Sequence, residues 1–298
     1  MTERRRVTLG IAFYRLIRLR RLIVFAAVPP VLVLLVLALV KGQAAFYLLP
    51  LAVGLPVLHA LRFPTAWMET LSVSLTLAIA LVVAGTVRAG LGLDELALRL
   101  LALGALAAVI FVIISLLLPV VLSRGEEVPV IGRASRRVRL TPDEARARLS
   151  LYPGRSDGQV TCGDLQEDGV FDVTLHPLGT PDAAFDLQFY AVILEDAAGT
   201  LDIMAVEEET KETTRTRSIF TPARRGTRVD ICETGAMMPW GLALGYWLQD
   251  HMADSLADEV ARAEGRRSRA NVTAPPETFL SRFSFRRGAR RAGGQVET

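Results

Sequence analysis

The chain has 298 residues, of which 51% are hydrophobic and 22% charged, and its formal net charge is +3. This apolar content is too high for an ordinary soluble protein and predicts a membrane-embedded portion. The two cysteines, Cys162 and Cys232, lie far apart without CxxC spacing, which argues against a disulfide scaffold and against a zinc site.

Four long apolar stretches follow a basic segment that covers residues 1–21. At about 1.5 Å per residue, each stretch is long enough to cross roughly 30 Å of hydrocarbon. The ionisable residues within them, His59 and Glu69, fall near span ends. The sequence therefore predicts a transmembrane region over 22–122, with helices at about 22–40, 44–61, 66–87 and 100–122.

The first stretch is longer than the apolar core of a signal peptide, and Pro29 and Pro30 are followed by more leucine and valine. A retained anchor is therefore favoured over a cleaved leader. Arginines cluster before the first span and after the fourth, so the positive-inside rule places both termini in the cytoplasm of a multi-pass inner-membrane protein.

The span centres offer no strongly polar group of the kind that transporters use, so transport is not favoured. Gly104 and Ala108 have the small-xxx-small spacing that suits close helix packing. A membrane-protein partner is one interpretation of this spacing.

A polar linker over 123–133 leads into a region of different character. The segment "ASRRVRL" predicts a strand, and Thr141, Pro142 and Glu144 predict a helix start with a capping box. Beyond residue 170 the apolar period becomes two, with Phe171 and Val173 on one face. The pattern predicts a meander of about six antiparallel strands with one apolar face.

The stretch "GAMMPWGLALGYWLQDHMADSLADEV" predicts one continuous helix from about Pro239 to Ala263 that covers this sheet. Its uncharged start is too short and too rich in proline and glycine for a fifth span. The helix carries an apolar stripe, and its aspartates are expected to face water. The stripe consists of Leu244, Leu248, Met252, Leu256 and Val260.

This element order, over residues 134–264, resembles the START-like or SRPBCC superfamily, the helix-grip fold of polyketide cyclase-like and Bet v 1-like proteins. One departure is that "SLYPGRSDGQ" leaves little room for the second small helix that usually follows the first strand. The expected fold is a membrane protein with four transmembrane α-helices and a C-terminal α+β helix-grip domain. The resemblance implies a hydrophobic cavity between the sheet and the long helix, for a lipid, isoprenoid or polyketide-like ligand.

The residues predicted to line this cavity are apolar or aromatic, and each of them is also compatible with an ordinary protein core. They are Phe171, Val173, Phe185, Phe189, Ile203, Trp240, Leu244, Trp247, Leu248 and Met252.

No hydrolase, nucleotide-binding or metalloprotease motif is present, so no catalytic residue, metal site or cofactor is predicted. His251, Asp254 and Asp258 share one helical face and are interpreted as solvated charges. An alternative, implied by the resemblance alone, is a membrane-tethered enzyme with cyclase- or dehydrase-like activity. Its polar candidates are Tyr246, His251, Glu233 and Arg217.

The basic tail over 265–298 is predicted to be disordered or to lie on an anionic membrane surface rather than on nucleic acid. The residues predicted to touch that surface are Arg282, Phe283, Phe285, Arg286 and Arg287. The leading hypothesis is a membrane-anchored protein that binds an apolar small molecule or lipid from the bilayer. The alternative is a non-enzymatic assembly subunit of a membrane complex.

Overall fold

The computed structural model describes residues 8–86, 96–157, 159–176, 186–273 and 278–280. The chain divides into two compact units. The helical unit comprises residues 1–125, 244–250 and 271–298, and the sheet unit comprises 126–243 and 251–270. The cavity residue Phe185 and the five tail residues predicted to touch the membrane lie outside the described residues.

The helical unit starts with a short helix that the sequence reading did not predict, α1 (Leu9–Arg18). The long helices follow, with a 3₁₀ helix (Gln43–Leu48) between the first and the second of them. Among the described residues, four helical segments are long and apolar enough to cross a membrane: Arg20–Lys41, Gln43–Arg62, Trp67–Ala84 and Leu101–Ser123. The prediction of four apolar helices is thus confirmed. The helices are α2 (Arg20–Lys41), α3 (Leu49–Arg62), α4 (Trp67–Thr86) and α5 (Leu96–Ser123).

Of the two prolines inside α2, Pro29 and Pro30, the second is accommodated by a neighbouring helix. Pro30 has no N–H, so it leaves the carbonyl of Ala26, four residues earlier, without its helical donor. The hydroxyl of Ser74 in α4 donates a hydrogen bond to that carbonyl. A polar side chain of one helix thus replaces the backbone bond that proline removes from another.

The start of α4 holds a buried polar cluster. Glu69 lies 3.2 Å from His59 Nε2, and the other ring nitrogen of His59 is 2.9 Å from Thr70 Oγ1. The Glu69 carboxylate also accepts the backbone N–H groups of Phe279 and Leu280, at 2.6 Å and 3.0 Å. A buried carboxylate of α4 therefore binds the backbone of Phe279 and Leu280, within the C-terminal tail.

The sheet unit is built on a seven-stranded antiparallel sheet in the order β1-β7-β6-β5-β4-β3-β2. Six consecutive strands form the expected meander, and β1 pairs with β7. The first strand already begins at Glu127, inside the stretch expected to be a linker. The strands are β1 (Glu127–Val138), β2 (Val160–Cys162), β3 (Val170–Leu175), β4 (Leu187–Ala197), β5 (Thr200–Glu207), β6 (Thr213–Ala223) and β7 (Gly226–Pro239).

Helix α6 (Pro142–Leu149) has the predicted capping box. Thr141 Oγ1 accepts the N–H of Glu144, and the Glu144 carboxylate accepts the N–H of Thr141 at 2.9 Å. That backbone hydrogen bond holds the pKa of Glu144 below its ordinary value.

The prediction of one continuous covering helix is wrong, because the structure has two helices, α7 (Trp240–Leu248) and α8 (His251–Ala263). The chain breaks at Asp250, whose φ of 50° lies in the left-handed region. The Asp250 carboxylate pairs with the guanidinium groups of Arg18 at 3.0 Å and Arg21 at 3.6 Å. Ion pairs from the first helices thus stabilise a backbone conformation that ends α7.

The break divides the predicted apolar stripe between two cores. Leu248 is fully buried in the helical unit, in a cluster with Leu19, Leu22 and Trp67. Leu256 and Val260 belong to the core of the sheet unit. The expectation that the whole stripe covers the sheet is therefore wrong for Leu248, which packs in the helical unit.

Candidate functional site

The sheet has an inner face, defined by Phe171, Ala191, Ile203 and Val229, on which the side chains pack with α8. Phe171 lies opposite Ala191 in the register of β3 and β4, and Ile193 of β4 lies opposite Ile203. These side chains form one cluster with Leu256 and Val260 of α8. Alternating apolar residues of β3, β4, β5 and β7 therefore create the hydrophobic face that the sequence predicts, while β6 adds Thr214, Thr216 and Ser218 to it.

Half of the predicted cavity residues meet on or against the inner face. Phe171, Val173 and Ile203 are buried there. Phe189 and Met252 are only partly buried and pack against the same cluster. The structure brings these five side chains together, and contact with a ligand stays a prediction for each of them.

The other predicted cavity residues lie elsewhere. Leu244 and Leu248 pack in the core of the helical unit. Trp240 and Trp247 are 43% and 52% exposed. The ring of Trp247 lies under the guanidinium of Arg21, 5.0 Å from the ring centroid, a cation–π contact within the helical unit. The structure thus places these four residues outside the cluster of the inner face.

Two carboxyl groups share the inner face with the apolar residues. Glu207, at the end of β5, lies opposite Phe189 and accepts a hydrogen bond from the Thr210 hydroxyl; the other is Glu233. Glu233 of β7 pairs with Thr216 of β6, which in turn pairs with Ile203. Burial raises the pKa of Glu233 above its ordinary value, because a low-dielectric environment disfavours the charged form. No hydrogen bond or ion pair from the described residues opposes that shift. Glu233 is thus a half-buried acid that protonates more readily than a solvated glutamate.

The remaining candidates of the enzyme alternative do not join Glu233. Arg217 lies on the opposite face of the sheet, exposed and 3.6 Å from Glu195. Tyr246 belongs to α7 and lies in the helical unit. Burial lowers the pKa of His251, and the charge of Asp254 opposes that shift. The structure therefore supplies no catalytic constellation from these four residues.

The interpretation of Asp254 and Asp258 as solvated charges is wrong, because both side chains are buried. Asp258 forms an ion pair with Arg262 at 3.1 Å, one turn further along α8. Pairing offsets the desolvation that burial imposes on a carboxylate. Among the described residues, no group of three or more His, Cys, Asp or Glu side chains is arranged to hold a metal ion.

A charged cleft of about 350 Å³ opens between α6 and the end of α8. Arg155 donates to Asp157 at 3.2 Å and to the carbonyl of Ser150 at 2.8 Å. Burial raises the pKa of Glu259, and the nearby charges of Arg155 and Arg262 oppose this only in part. The cleft is lined by Ala147, Arg148, Arg155, Ser156, Asp157, Glu259, Arg262 and Ala263.

Sequence reasoning missed this cleft because its lining comes from three separate segments of the chain. The available signal was the run of charge at Asp258, Glu259 and Arg262 on a helix expected to cover a sheet. The ends of α6 and α8 already use some of these arginines, since Arg148 donates to the carbonyl of Ala263 at 3.0 Å. Much of this charge therefore serves the helix ends, and we assign the cleft no ligand.

No family model matches the chain, and no curated protein matches its sequence. Among solved structures, protein CV1439 from Chromobacterium violaceum is 16% identical over 45% of this chain and 96% of its own, with a TM-score of 0.33. A protein from Rhizobium leguminosarum is 13% identical over 47% of this chain and 97% of its own, with a TM-score of 0.33. The di-domain ARO/CYC StfQ from the steffimycin biosynthetic pathway is 12% identical, with a TM-score of 0.35, over 59% of this chain and 61% of its own.

Likenesses at these TM-scores carry no argument about function. The fold is therefore assigned from the strand order of this chain itself. A seven-stranded antiparallel sheet followed by C-terminal helices agrees with the helix-grip fold expected from the sequence.

Proposed function

We propose that the protein is a membrane-anchored binding protein whose helix-grip domain takes an apolar ligand bearing one polar group. The observation that carries the proposal is the half-buried carboxyl of Glu233 on an inner face otherwise lined by residues such as Phe189 and Ile203. Apolar sites with a few well-placed polar groups are the common form of small-molecule pockets.

The cost of desolvating this carboxyl favours a ligand that forms a hydrogen bond with it. Removing a polar group from water without a hydrogen-bond partner costs roughly 1–3 kcal/mol in proteins. A protonated Glu233 donates to a carbonyl oxygen of a ligand, and an ionised one accepts from a hydroxyl. A lipid, an isoprenoid or a polyketide-like compound combines such a group with the apolar body that the inner face requires.

The helical unit supplies the other half of the proposal. Its four long apolar segments make it an anchor in a bilayer, which also serves as the source or the destination of an apolar ligand. We place the protein in the inner membrane, with both termini in the cytoplasm, on the distribution of its arginines.

The experiment is to purify the full chain in a mild detergent and to identify co-purifying apolar compounds by mass spectrometry. The test variant is Ile203→Trp, which fills the inner face. The matched control is Ile219→Trp on the same sheet, where the side chain is exposed on the opposite face.

We expect one class of compound in the wild-type and Ile219→Trp proteins and its loss from Ile203→Trp. Glu233→Leu, which keeps the size but removes the polar group, is expected to weaken retention, and circular dichroism checks that each variant is folded. Equal retention by all variants, or a folded wild-type protein without any bound compound, contradicts the proposal.

A second candidate function is assembly with another membrane protein, favoured by an observation on α5. A Cβ atom added at Gly104 would meet no described atom within 4 Å, so this position is open for a partner helix to approach closely. Gly104→Leu should leave the chain's own fold intact while removing a stoichiometric partner from a mild-detergent pull-down. Retention of every partner by this variant contradicts the assembly role of Gly104.

A further inference from the structure

Helix α1 presents an apolar face that no described part of the chain covers. Leu9 is 90% exposed, Phe13 63% and Ile17 45%, and Leu16 is also exposed. The positions 9, 13, 16 and 17 follow the i, i+4, i+7, i+8 spacing of one helical stripe. An apolar stripe of this exposure is unfavourable in water.

The opposite side of α1 faces the protein through its arginines. Arg15 donates to the carbonyl of Leu61 at 2.5 Å, and Arg18 pairs with Asp250 at 3.0 Å. These contacts fix the rotation of the helix about its own axis. The charged side is used inside the helical unit, and the apolar side is turned outward.

The length and position of α1 identify what covers the stripe. Ten residues make about 15 Å of helix, half of what a bilayer crossing needs. The helix is interrupted at Leu19, where the backbone is not helical (φ −91°, ψ 11°), and α2 begins at the next residue. The outward surface of α2 continues directly with exposed Val24, Phe25 and Val28, the surface that the proposed bilayer covers.

We propose that α1 is an in-plane interfacial helix that inserts its Leu9, Phe13, Leu16 and Ile17 face into the lipid at the level where α2 enters the membrane. The partner is the bilayer interface, where acyl chains meet headgroups, since helices with an apolar stripe and a basic side lie there. Arg20 and Arg21, at the junction of the two helices, stand at headgroup level. The inference rests on the proposed membrane location of the helical unit.

The test uses the full chain in lipid nanodiscs, spin-labelled at one introduced cysteine in a Cys162→Ala, Cys232→Ser background. Phe13→Cys probes α1, Leu32→Cys probes the exposed surface of α2 near the middle of the span, and Glu167→Cys probes an exposed site of the sheet unit. Relaxation by oxygen, which concentrates in lipid, is compared with relaxation by a water-soluble nickel chelate. Leu9→Cys and Ile17→Cys repeat the measurement along the stripe.

We expect the label at residue 13 to be immersed in lipid, at a shallower depth than the label at residue 32, and the label at residue 167 to be in water. If residue 32 is immersed while residue 13 is as water-accessible as residue 167, the interfacial helix is wrong and the anchor stands. If residue 13 lies as deep as residue 32, α1 enters the bilayer core and the in-plane placement is wrong. If residue 32 is also in water, the membrane anchor itself is wrong.

Discussion

The binding hypothesis depends on one titratable side chain, the carboxyl of Glu233. Its ordinary pKa is 4.5, and burial raises that value in the folded protein. The folded state therefore holds the proton more tightly than the unfolded state. This residue costs nothing below about pH 4.5, its penalty to folding grows as the pH rises from there, and the penalty is complete above the raised pKa. The penalty at neutral pH is the free energy that a polar ligand group would relieve.

Glu233→Gln is expected to change the pH dependence of stability in a defined direction. Stability of the wild-type sheet unit should fall, relative to Glu233→Gln, as the pH rises from about 4.5 through the raised pKa. Thermal unfolding of both full-length proteins between pH 4 and pH 8 measures the difference. The control is Glu195→Gln, an exposed acid of the same sheet. A stability difference that does not grow with pH would show that Glu233 is not desolvated.

A second prediction concerns the hydrogen bond that Ser74 donates to α2. Its hydroxyl satisfies the Ala26 carbonyl that Pro30 leaves without a helical donor. Ser74→Ala should destabilise the helical unit by about 1 kcal/mol, the scale of one hydrogen bond between apolar helices. The control is Ser72→Ala, because the Ser72 hydroxyl bonds the Met68 carbonyl of its own helix, which already accepts a backbone N–H. Equal losses of stability in detergent unfolding would refute the special role of Ser74.

Among the elements, α7 is the one whose end depends most on residues distant in sequence. The Asp250 side chain that stabilises its end bonds to Arg18, 232 residues earlier in the chain. Neither glycine nor proline marks the break, so local signals for the end of a helix were absent there. Asp254 and Asp258 were misjudged for a related reason, since helical spacing identifies a shared face and does not say whether a partner covers it.

Elements whose signal is local were predictable. Helix length with hydropathy identified the four long apolar helices, and period-two alternation identified the meander. The α6 capping box followed from three residues. The candidate site was predictable only in part: Phe171, Val173 and Ile203 reached the inner face, but the charged cleft required segments whose proximity no sequence period encodes.

Helix α7 packs closely in the helical unit, so adding one methyl group at Gly245 should lower stability. A Cβ atom at Gly245 would lie 2.4 Å from the buried ring of Trp67, so Gly245→Ala should destabilise the helical unit by about 1–3 kcal/mol, as overpacking does. Gly104→Ala is the matched control, since its Cβ meets open space. Thermal unfolding measures the loss of stability, and the rate of limited proteolysis after residue 243 measures how firmly α7 is held. A Gly245→Ala protein as stable as Gly104→Ala would contradict the close approach of α7 and Trp67.

For the whole molecule, the proposed function requires that the sheet unit face the compartment in which the N-terminal segment begins. Four crossings would return the chain to its starting side, and the positive-inside rule predicts that this side is the cytoplasm. Gln43, after the first span, and Arg124, after the fourth, are both exposed and are separated by three crossings. They must therefore report opposite sides of the membrane.

Single-cysteine variants Gln43→Cys and Arg124→Cys, made without Cys162 and Cys232, test this topology with a membrane-impermeant maleimide. In spheroplasts, Gln43→Cys should be labelled at once and Arg124→Cys only after the membrane is permeabilised. The reverse pattern would keep four crossings and overturn the cytoplasmic placement of the helix-grip domain. Labelling of both sites before permeabilisation would mean that an even number of crossings separates them, and the four-span anchor would then be wrong.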